Sequence, residues 1–162
     1  EVLDIYGRRI SADTCTTPLP VDTTLNVMDV RVPEGQDAYY LRLSLKADGE
    51  ALSDNFYVRS AGDSGLKSLL SLPAAEVNVK TRFRKHDVTV TCNALVSNDS
   101  DMPAMMIRLN LKGTDGEQIL PAFYSDNYFH LMPGESRTVE ISYRAEDSRG
   151  VRPVLETSWL ND

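Results

Sequence analysis

Apolar residues alternate with polar ones along most of this sequence, and this period of two constrains the fold more than any other feature. The clearest run places leucine at every second position, at Leu41, Leu43 and Leu45. Successive side chains of a β-strand point to opposite faces, so the run predicts a strand with one buried face. Helical spacing occurs only over residues 66–72, enough for one or two turns. The sequence therefore predicts an all-β protein.

Seven strand candidates, separated by turn signals, fill the second half of the chain. They lie at residues 77–84, 88–97, 104–112, 118–124, 127–132, 137–145 and 153–160. Short strands with a turn every 8–12 residues or so are typical of an immunoglobulin-like β-sandwich. We predict a complete sandwich domain at 75–162, a linker at 60–74 and, at 1–59, the C-terminal part of a second sandwich domain. The predicted core of the complete domain includes Val79, Val90, Ile107, Leu109, Val139 and Ile141.

The two halves of the chain contain similar segments. Residues 41–50 are similar to residues 107–117, and residues 53–57 are similar to residues 125–129. The similarity fits two related sandwich units, of which the first is truncated, and it fits two similar hairpins equally well.

Composition and charge exclude several classes of protein. The 162 residues carry 24 acidic and 17 basic side chains, for a net charge of −7. Without a Lys/Arg cluster the chain lacks the electrostatic footprint of a nucleic-acid binder. No apolar run approaches the ~20 residues that span a bilayer. No cofactor or metal site is predicted, because His86 and His130 lack local Cys or His partners. Spacing leaves the pairing of Cys15 and Cys92 open.

Two functional alternatives arise from short motifs. The run Gly62-Asp63-Ser64-Gly65 is similar to the nucleophile signature of trypsin-like proteases, which would make the chain a serine hydrolase. Both histidines follow Ser64, however, which reverses the chain order of that family. Adjacent aromatic pairs suggest a carbohydrate-binding module, since on a strand one ring of each pair faces outward. These pairs are Tyr39-Tyr40, Phe56-Tyr57, Phe123-Tyr124 and Tyr128-Phe129.

The most specific motif runs from Ser125 to Ser136 and reads SDNYFHLMPGES. It resembles the C-terminal immunoglobulin-like domain of family 2 glycoside hydrolases, of the β-mannosidase and exo-β-glucosaminidase type. Further agreement comes from Asn98-Asp99-Ser100, Pro103-Ala104, Ile107-Arg108-Leu109 and the closing Trp159-Leu160-Asn161. Val58 departs from the pattern, because the family usually has Trp there.

The resemblance implies a non-catalytic accessory region. Such enzymes carry both catalytic glutamates on an upstream TIM-barrel domain, so we expect no catalytic residue in this chain. The parent would be a secreted or periplasmic retaining exo-β-glycosidase, and the partners would be its catalytic domain and its carbohydrate substrate. Asp126, Asn127, Tyr128 and Phe129 are the candidates for binding or for a domain interface. Strand 39–46 needs a cover for its apolar face. We expect either packing of residues 1–59 onto the 75–162 sandwich or a homodimer of the isolated chain, and strand exchange favours the homodimer.

Overall fold

The computed structural model describes residues 1–18, 20–31, 34–60, 62 and 65–162. They form antiparallel sheets and two short 3₁₀ helices, and the chain divides into two compact units, Glu1–Leu70 and Ser71–Asp162. We refer to them as unit 1 and unit 2. The predicted all-β class is confirmed.

Unit 1 contains one four-stranded sheet. Its strands are β1 (Val2–Leu3), β2 (Arg9–Ser11), β3 (Ala38–Ala47) and β4 (Glu50–Ser60), in the spatial order β2-β1-β3-β4. Strands β3 and β4 form a long hairpin that turns at Asp48-Gly49, where both residues have positive φ. This dipeptide is a frequent hairpin turn because Asp and Gly tolerate the left-handed conformation.

Only the beginning of strand β3 is buried. Ala38, Tyr39 and Tyr40 are buried, whereas the hairpin is exposed along most of its remaining length. The prediction that one ring of the Tyr39-Tyr40 pair faces outward is therefore wrong. The hydroxyl of Tyr40 donates a hydrogen bond of 3.0 Å to the carbonyl oxygen of Ile5, and its ring lies 5.3 Å from that of Phe56.

Unit 2 is a two-sheet sandwich of seven strands. They are β5 (Val77–His86), β6 (Thr89–Asn98), β7 (Ala104–Gly113), β8 (Ala122–Tyr124), β9 (Phe129–Leu131), β10 (Ser136–Arg144) and β11 (Pro153–Ser158). One sheet has the order β5-β6-β10-β8 and the other β11-β7-β9. The 3₁₀ helices lie at Gly65–Ser71, where the two units meet in sequence, and at Ala145–Ser148.

The core of unit 2 lies between these two sheets. Ile107, Leu109, Val139 and Ile141 are buried as predicted, and Val79 and Val90 are partly buried against them. Trp159 also packs on this core, and its indole N–H donates to the carbonyl oxygen of Ala75 at 3.1 Å. The immunoglobulin-like sandwich predicted from strand spacing is thus present.

Two predicted strands of unit 2 are shorter than expected. The segment predicted as strand 118–124 contributes only β8 and an isolated bridge at Gln118, and the segment 127–132 contributes only β9. In the second segment Tyr128 has a φ of 57°, which interrupts an extended strand. The predicted domain boundaries stay predictions, because they concern units that fold on their own.

The described residues contain no helix that is long and apolar enough to cross a membrane. No group of three or more His, Cys, Asp or Glu side chains in the described ranges could hold a metal ion. Both cysteines are free thiols: Cys15 is exposed, and Cys92 lies in the core of unit 2. Burial raises the pKa of the Cys92 thiol to about 11, so this thiol stays protonated at neutral pH.

Candidate functional site

The candidate residues lie beside one edge of strand β7. On that side β7 pairs with β9 at only two positions, Ala104 with Leu131 and Ile107 with Phe129, and the register shifts between them. Beyond Ile107 the backbone of β7 needs other hydrogen-bond partners, because buried N–H and C=O groups are almost always paired. Side chains of residues 124–130 supply some of these partners, and the backbone of residues 117–119 supplies others at the end of the strand.

Asn127 replaces a neighbouring strand at the centre of β7. Its Oδ1 accepts the N–H of Leu109 at 2.8 Å, and its Nδ2 donates to the carbonyl oxygen of Leu109 at 2.9 Å. A carboxamide has one acceptor and two donors, so it can satisfy both backbone groups of one residue, as a β-ladder does. We call these two hydrogen bonds between Asn127 and Leu109 the clamp. The same Oδ1 also accepts the N–H of Tyr128 at 3.0 Å, which orients the Asn127 side chain.

Two further side chains extend this contact in both directions. The hydroxyl oxygen of Tyr124 accepts the N–H of Leu111 at 2.9 Å, and Nδ1 of His130 accepts the N–H of Met106 at 3.1 Å. Burial, with a smaller contribution from the Arg137 charge, lowers the pKa of His130 to about 4. His130 is therefore neutral at physiological pH, which the hydrogen bond requires, since a protonated Nδ1 could not accept it.

Asp126 and Phe129 hold the guanidinium of Arg137 between them. Asp126 forms an ion pair with Arg137 through Oδ2, and its Oδ1 accepts the N–H of Asn127 at 2.8 Å. The Arg137 guanidinium lies 5.2 Å from the centre of the Phe129 ring, within the range of a cation–π contact. Phe129 is buried in the core. Asp126 and Phe129 thus connect the segment to strand β10, on which Arg137 lies.

Tyr128 is the most exposed of the four candidates, and the side chain of Asp126 is 37% exposed beside Arg137. Its φ of 57° is unusual for a bulky residue, and its side chain is 55% exposed. The structure therefore brings all four predicted residues together but gives them different surroundings. Asn127 and Phe129 are occupied within the fold, Asp126 is ion-paired, and any contact with a ligand or another domain would fall to Tyr128. The predicted binding or interface role stays a prediction.

Sequence reasoning missed two buried asparagines that hold the start of strand β7 and the segment before it. Asn98 is fully buried, and its Nδ2 donates to the carbonyl oxygens of Met102 and Leu131 at 2.7 and 2.9 Å. Asn161 is 7% exposed; its Oδ1 accepts the N–H of Met105 at 3.1 Å, and its Nδ2 donates to the carbonyl oxygen of Pro103 at 2.9 Å. Both residues lie in the motifs that carried the family resemblance, and this was the available signal.

The burial of Asn98 also bears on whether this residue can accept an N-linked glycan. Asn98-Asp99-Ser100 has the sequence of an N-glycosylation site, but both Nδ2 hydrogens are used in buried hydrogen bonds. Its Oδ1 accepts the N–H and the hydroxyl of Ser100 at 3.1 and 2.7 Å. The folded domain therefore presents no acceptor amide at this position, and the motif is a structural turn.

The aromatic side chains do not form a platform for sugar binding in unit 2. Phe123 is 68% exposed on strand β8, which belongs to the β5-β6-β10-β8 sheet. Tyr128 directly precedes β9, which belongs to the other sheet. A carbohydrate-binding module would need its outward rings on one sheet face. The adjacent aromatic pairs of unit 2 therefore do not support this alternative.

The serine-hydrolase alternative rests on residues that lie outside the described part of the chain, namely Asp63 and Ser64. Of the two histidines that it would need, His130 is engaged with strand β7, and His86 is exposed at the end of strand β5.

Seven antiparallel strands in a four-plus-three sandwich, with a buried core between the sheets, define unit 2 as an immunoglobulin-type domain. A family model described as the exo-β-D-glucosaminidase Ig-fold domain matches residues 55–161. The chain belongs to this family.

Proteins named exo-β-D-glucosaminidase are among its relatives. One from Arthroderma benhamiae is 31% identical over 181 aligned positions, which cover 99% of this chain and 20% of the relative. One from Amycolatopsis orientalis is 29% identical over 124 positions, covering 74% of this chain and 12% of the relative. The crystal structure of the exo-chitosanase of Amycolatopsis orientalis matches 82% of this chain and 18% of its own with a TM-score of 0.71 at 25% identity. The chain thus spans a fifth or less of the length of these relatives.

Proposed function

We propose that this chain is a non-catalytic accessory region of a multidomain exo-acting β-glycosidase. The family match over residues 55–161 carries this proposal. It is supported by relatives that bear the name of an exo-β-D-glucosaminidase and of which the aligned segment makes up 20% or less. Of the two activities that the sequence resemblance implied, these names favour the glucosaminidase over the β-mannosidase.

The physical role that we propose is support of the catalytic barrel by a rigid segment, residues 124–130. This segment is bound to strand β7 by the side chains of Asn127, Tyr124 and His130, and to strand β10 by the ion pair with Arg137. A segment held in this way can present one exposed ring, that of Tyr128, with little loss of conformational entropy on contact. We propose that Tyr128 contacts the catalytic domain or the rim of its pocket.

The partners follow from this role. They are the catalytic domain of the same polypeptide and, through that domain, a β-D-glucosaminide substrate cleaved with retention of configuration. We further propose a secreted or periplasmic location, as the resemblance implies. A homodimer of the isolated chain is a separate proposal, supported by the exposed apolar side chains Leu43 and Leu45 on strand β3.

A first experiment tests the absence of catalysis. The purified chain is incubated with aryl β-D-glucosaminide, aryl β-mannoside and aryl β-galactoside, and release of the aryl group is followed by absorbance. We expect no hydrolysis above that of a mock preparation from the same host. Hydrolysis that copurifies with the chain would overturn the proposal.

A second experiment separates support from a role at the pocket rim. In the longer polypeptide, Tyr128→Ala is compared with Tyr57→Ala, a change at a similarly exposed ring of unit 1. If Tyr128 lines the rim, its removal raises KM for the glucosaminide, whereas a supporting contact lowers only the melting temperature. Equal behaviour of the two variants in both measurements would remove Tyr128 from the proposed interface.

A further inference from the structure

The outer face of strand β5 carries a row of cations. Val77, Val79 and Phe83, which share one phase of β5, pack against the core of unit 2. The alternate phase holds Lys80, Arg82 and Arg84, which are all exposed. Positions two apart on a strand repeat at about 6.7 Å, so these side chains form an evenly spaced basic row.

No carboxylate lies directly opposite any of these three cations on the neighbouring strand. The residues opposite Lys80, Arg82 and Arg84 on strand β6 are Leu95, Asn93 and Thr91. Carboxylates flank the row at its ends, where Asp99 accepts a hydrogen bond from Asn78 at 2.7 Å and Asp87 lies 3.4 Å from His86. Across the sheet, Glu140 lies one strand further on, opposite Asn93. Two strand spacings amount to about 9–10 Å, a distance over which salt screens exposed charges strongly. Within the described ranges no ion pair engages any of the three cations.

The backbone beside the row is also open. Strand β5 is the outermost strand of its sheet, and no other strand of the described chain pairs with its outer side. An edge strand leaves a row of N–H and C=O groups that can accept a further strand. Like-charged rows repel one another, so the cations oppose pairing of this edge with the same edge of a second copy.

Counting charges along the sequence hides this feature. The chain has a net charge of −7, and its cations are interspersed with acids. Residues 80–85 nevertheless include four basic side chains, so the prediction that the chain lacks a Lys/Arg cluster is wrong for this segment, and alternation along β5 places three of the four on one face.

We propose that the edge of strand β5 binds an extended acidic peptide segment, which adds as a strand and places a carboxylate at every second position. Its backbone would pair with the open edge, and its carboxylates would face Lys80, Arg82 and Arg84. Arginine forms bidentate hydrogen bonds with carboxylates, and opposite charges across neighbouring strands are favourable. A polyanionic sugar would form ion pairs with the three cations but could not pair as a strand. An acidic peptide strand can form ion pairs with the cations and also backbone hydrogen bonds with the edge of β5.

The test is an NMR titration of the ¹⁵N-labelled 162-residue chain with three peptides of equal net charge. The first is acetyl-Thr-Glu-Val-Glu-Val-Glu-Thr-amide, in which the acids alternate. The second is its isomer with three contiguous acids, and the third is the alternating peptide with N-methylated valines. We expect the alternating peptide to shift β5 amide signals and to bind about tenfold more tightly than the isomer. The N-methylated peptide should bind no better than the isomer, because the two N-methyl groups remove the valine N–H donors and obstruct pairing as a strand. Equal affinity of all three peptides, or no shift in β5, would overturn the proposal.

Charge reversal provides the matched test on the protein. The variant Lys80→Glu/Arg82→Glu/Arg84→Glu should lose about tenfold in affinity for the alternating acidic peptide and should gain affinity for its lysine counterpart. The control Lys46→Glu/Arg59→Glu/Lys67→Glu changes the net charge by the same amount at exposed positions of unit 1. Equal losses in the two variants would show a general effect of net charge and would contradict a site on β5. Amide dispersion checks that each variant is folded, and the peptide series stands independently of both.

Discussion

Two strands with nearly the same sequence pattern have opposite burial in the two units. Strand β3 of unit 1 reads Leu41-Arg42-Leu43-Ser44-Leu45, and strand β7 of unit 2 reads Ile107-Arg108-Leu109-Asn110-Leu111. Leu43 and Leu45 are 40% and 54% exposed, whereas Leu109 and Leu111 are 2% and 1% exposed. Alternation therefore identifies the apolar face of a strand but does not show whether a second sheet covers it. In unit 2 the β5-β6-β10-β8 sheet covers that face.

The segments that follow these two strands place an equivalent asparagine beside an equivalent leucine, but the two asparagines contact it in different ways. Asn55, in the Ser53–Tyr57 segment, lies directly opposite Leu43 in the β3–β4 ladder. Asn127, at the equivalent place in the similar segment of unit 2, contacts Leu109 through its side chain. The equivalent asparagine thus meets the equivalent leucine in both units, once as part of a strand and once as a substitute for a strand.

The largest expected effect comes from deleting the leucine at equivalent positions. Leu109→Ala should reduce the free energy of unfolding of unit 2 by about 2–5 kcal/mol, because it leaves a cavity in a closed core. Leu43→Ala should cost less than about 1 kcal/mol, because that side chain is already half in water. Urea unfolding is followed by tryptophan fluorescence for unit 2, since Trp159 packs on its core, and by the amide NMR signals of strands β3 and β4 for unit 1. Near-equal losses in the two variants would contradict the difference in burial.

The clamp should have the next largest effect. Asn127→Ala removes the partners of the Leu109 N–H and C=O groups, and we expect a loss of about 1–3 kcal/mol in urea unfolding. Asn55→Ala is the matched control, because Asn55 is exposed and pairs through its backbone; its effect should stay within about 0.5 kcal/mol. If Asn127→Ala lowers the free energy of unfolding no more than Asn55→Ala does, the hydrogen bonds between the Asn127 side chain and Leu109 add nothing to stability.

Acid should weaken unit 2 through His130. In the folded state its pKa is lowered to about 4, while in the unfolded chain it is near 6.5. The unfolded state therefore binds the proton first, and stability that is fully present above about pH 6.5 falls as the pH drops towards 4. The slope reaches at most about 1.4 kcal/mol per pH unit. Thermal melts between pH 7 and pH 5 measure this loss, and His130→Asn should flatten the profile over that interval. A profile that is the same with and without His130 would rule out this cause.

The smallest effect on stability is expected at the exposed face of the hairpin. Leu45→Lys should change the free energy of unfolding by no more than about 0.5 kcal/mol, yet it should dissociate the proposed homodimer. Val88→Lys, a change at a similarly exposed residue of unit 2, should leave the dimer intact. Multi-angle light scattering at high protein concentration measures the mass of both variants. A monomeric unchanged chain would remove the dimer proposal altogether.

The fold was predictable because alternation, turn residues and strand spacing are local properties. All seven strand candidates of unit 2 contain a strand, and four of the six predicted core residues are fully buried. The error at Tyr39 and Tyr40 arose because a strand that is buried on both faces does not obey the simple alternation rule.

The candidate site was predictable only as a location. The motif led to residues 125–136, but no local rule indicates that Asn127 contacts a strand 18 positions away or that Asn161 reaches back to Met105. Such contacts depend on the closure of the whole sandwich. The cationic row on β5 was missed for a related reason, because charge counting ignores which face of a strand carries a residue.

Native-state hydrogen exchange at the amide of Leu109 tests most directly whether side chains complete the edge of strand β7. This N–H donates to Oδ1 of Asn127, and no β9 residue pairs with Leu109. In the unchanged chain we expect protection close to that of the neighbouring core amides. In Asn127→Ala we expect the Leu109 amide to exchange at least about tenfold faster, with the amide of Leu43 in unit 1 unaffected. An unchanged exchange rate at Leu109 in Asn127→Ala would contradict the account.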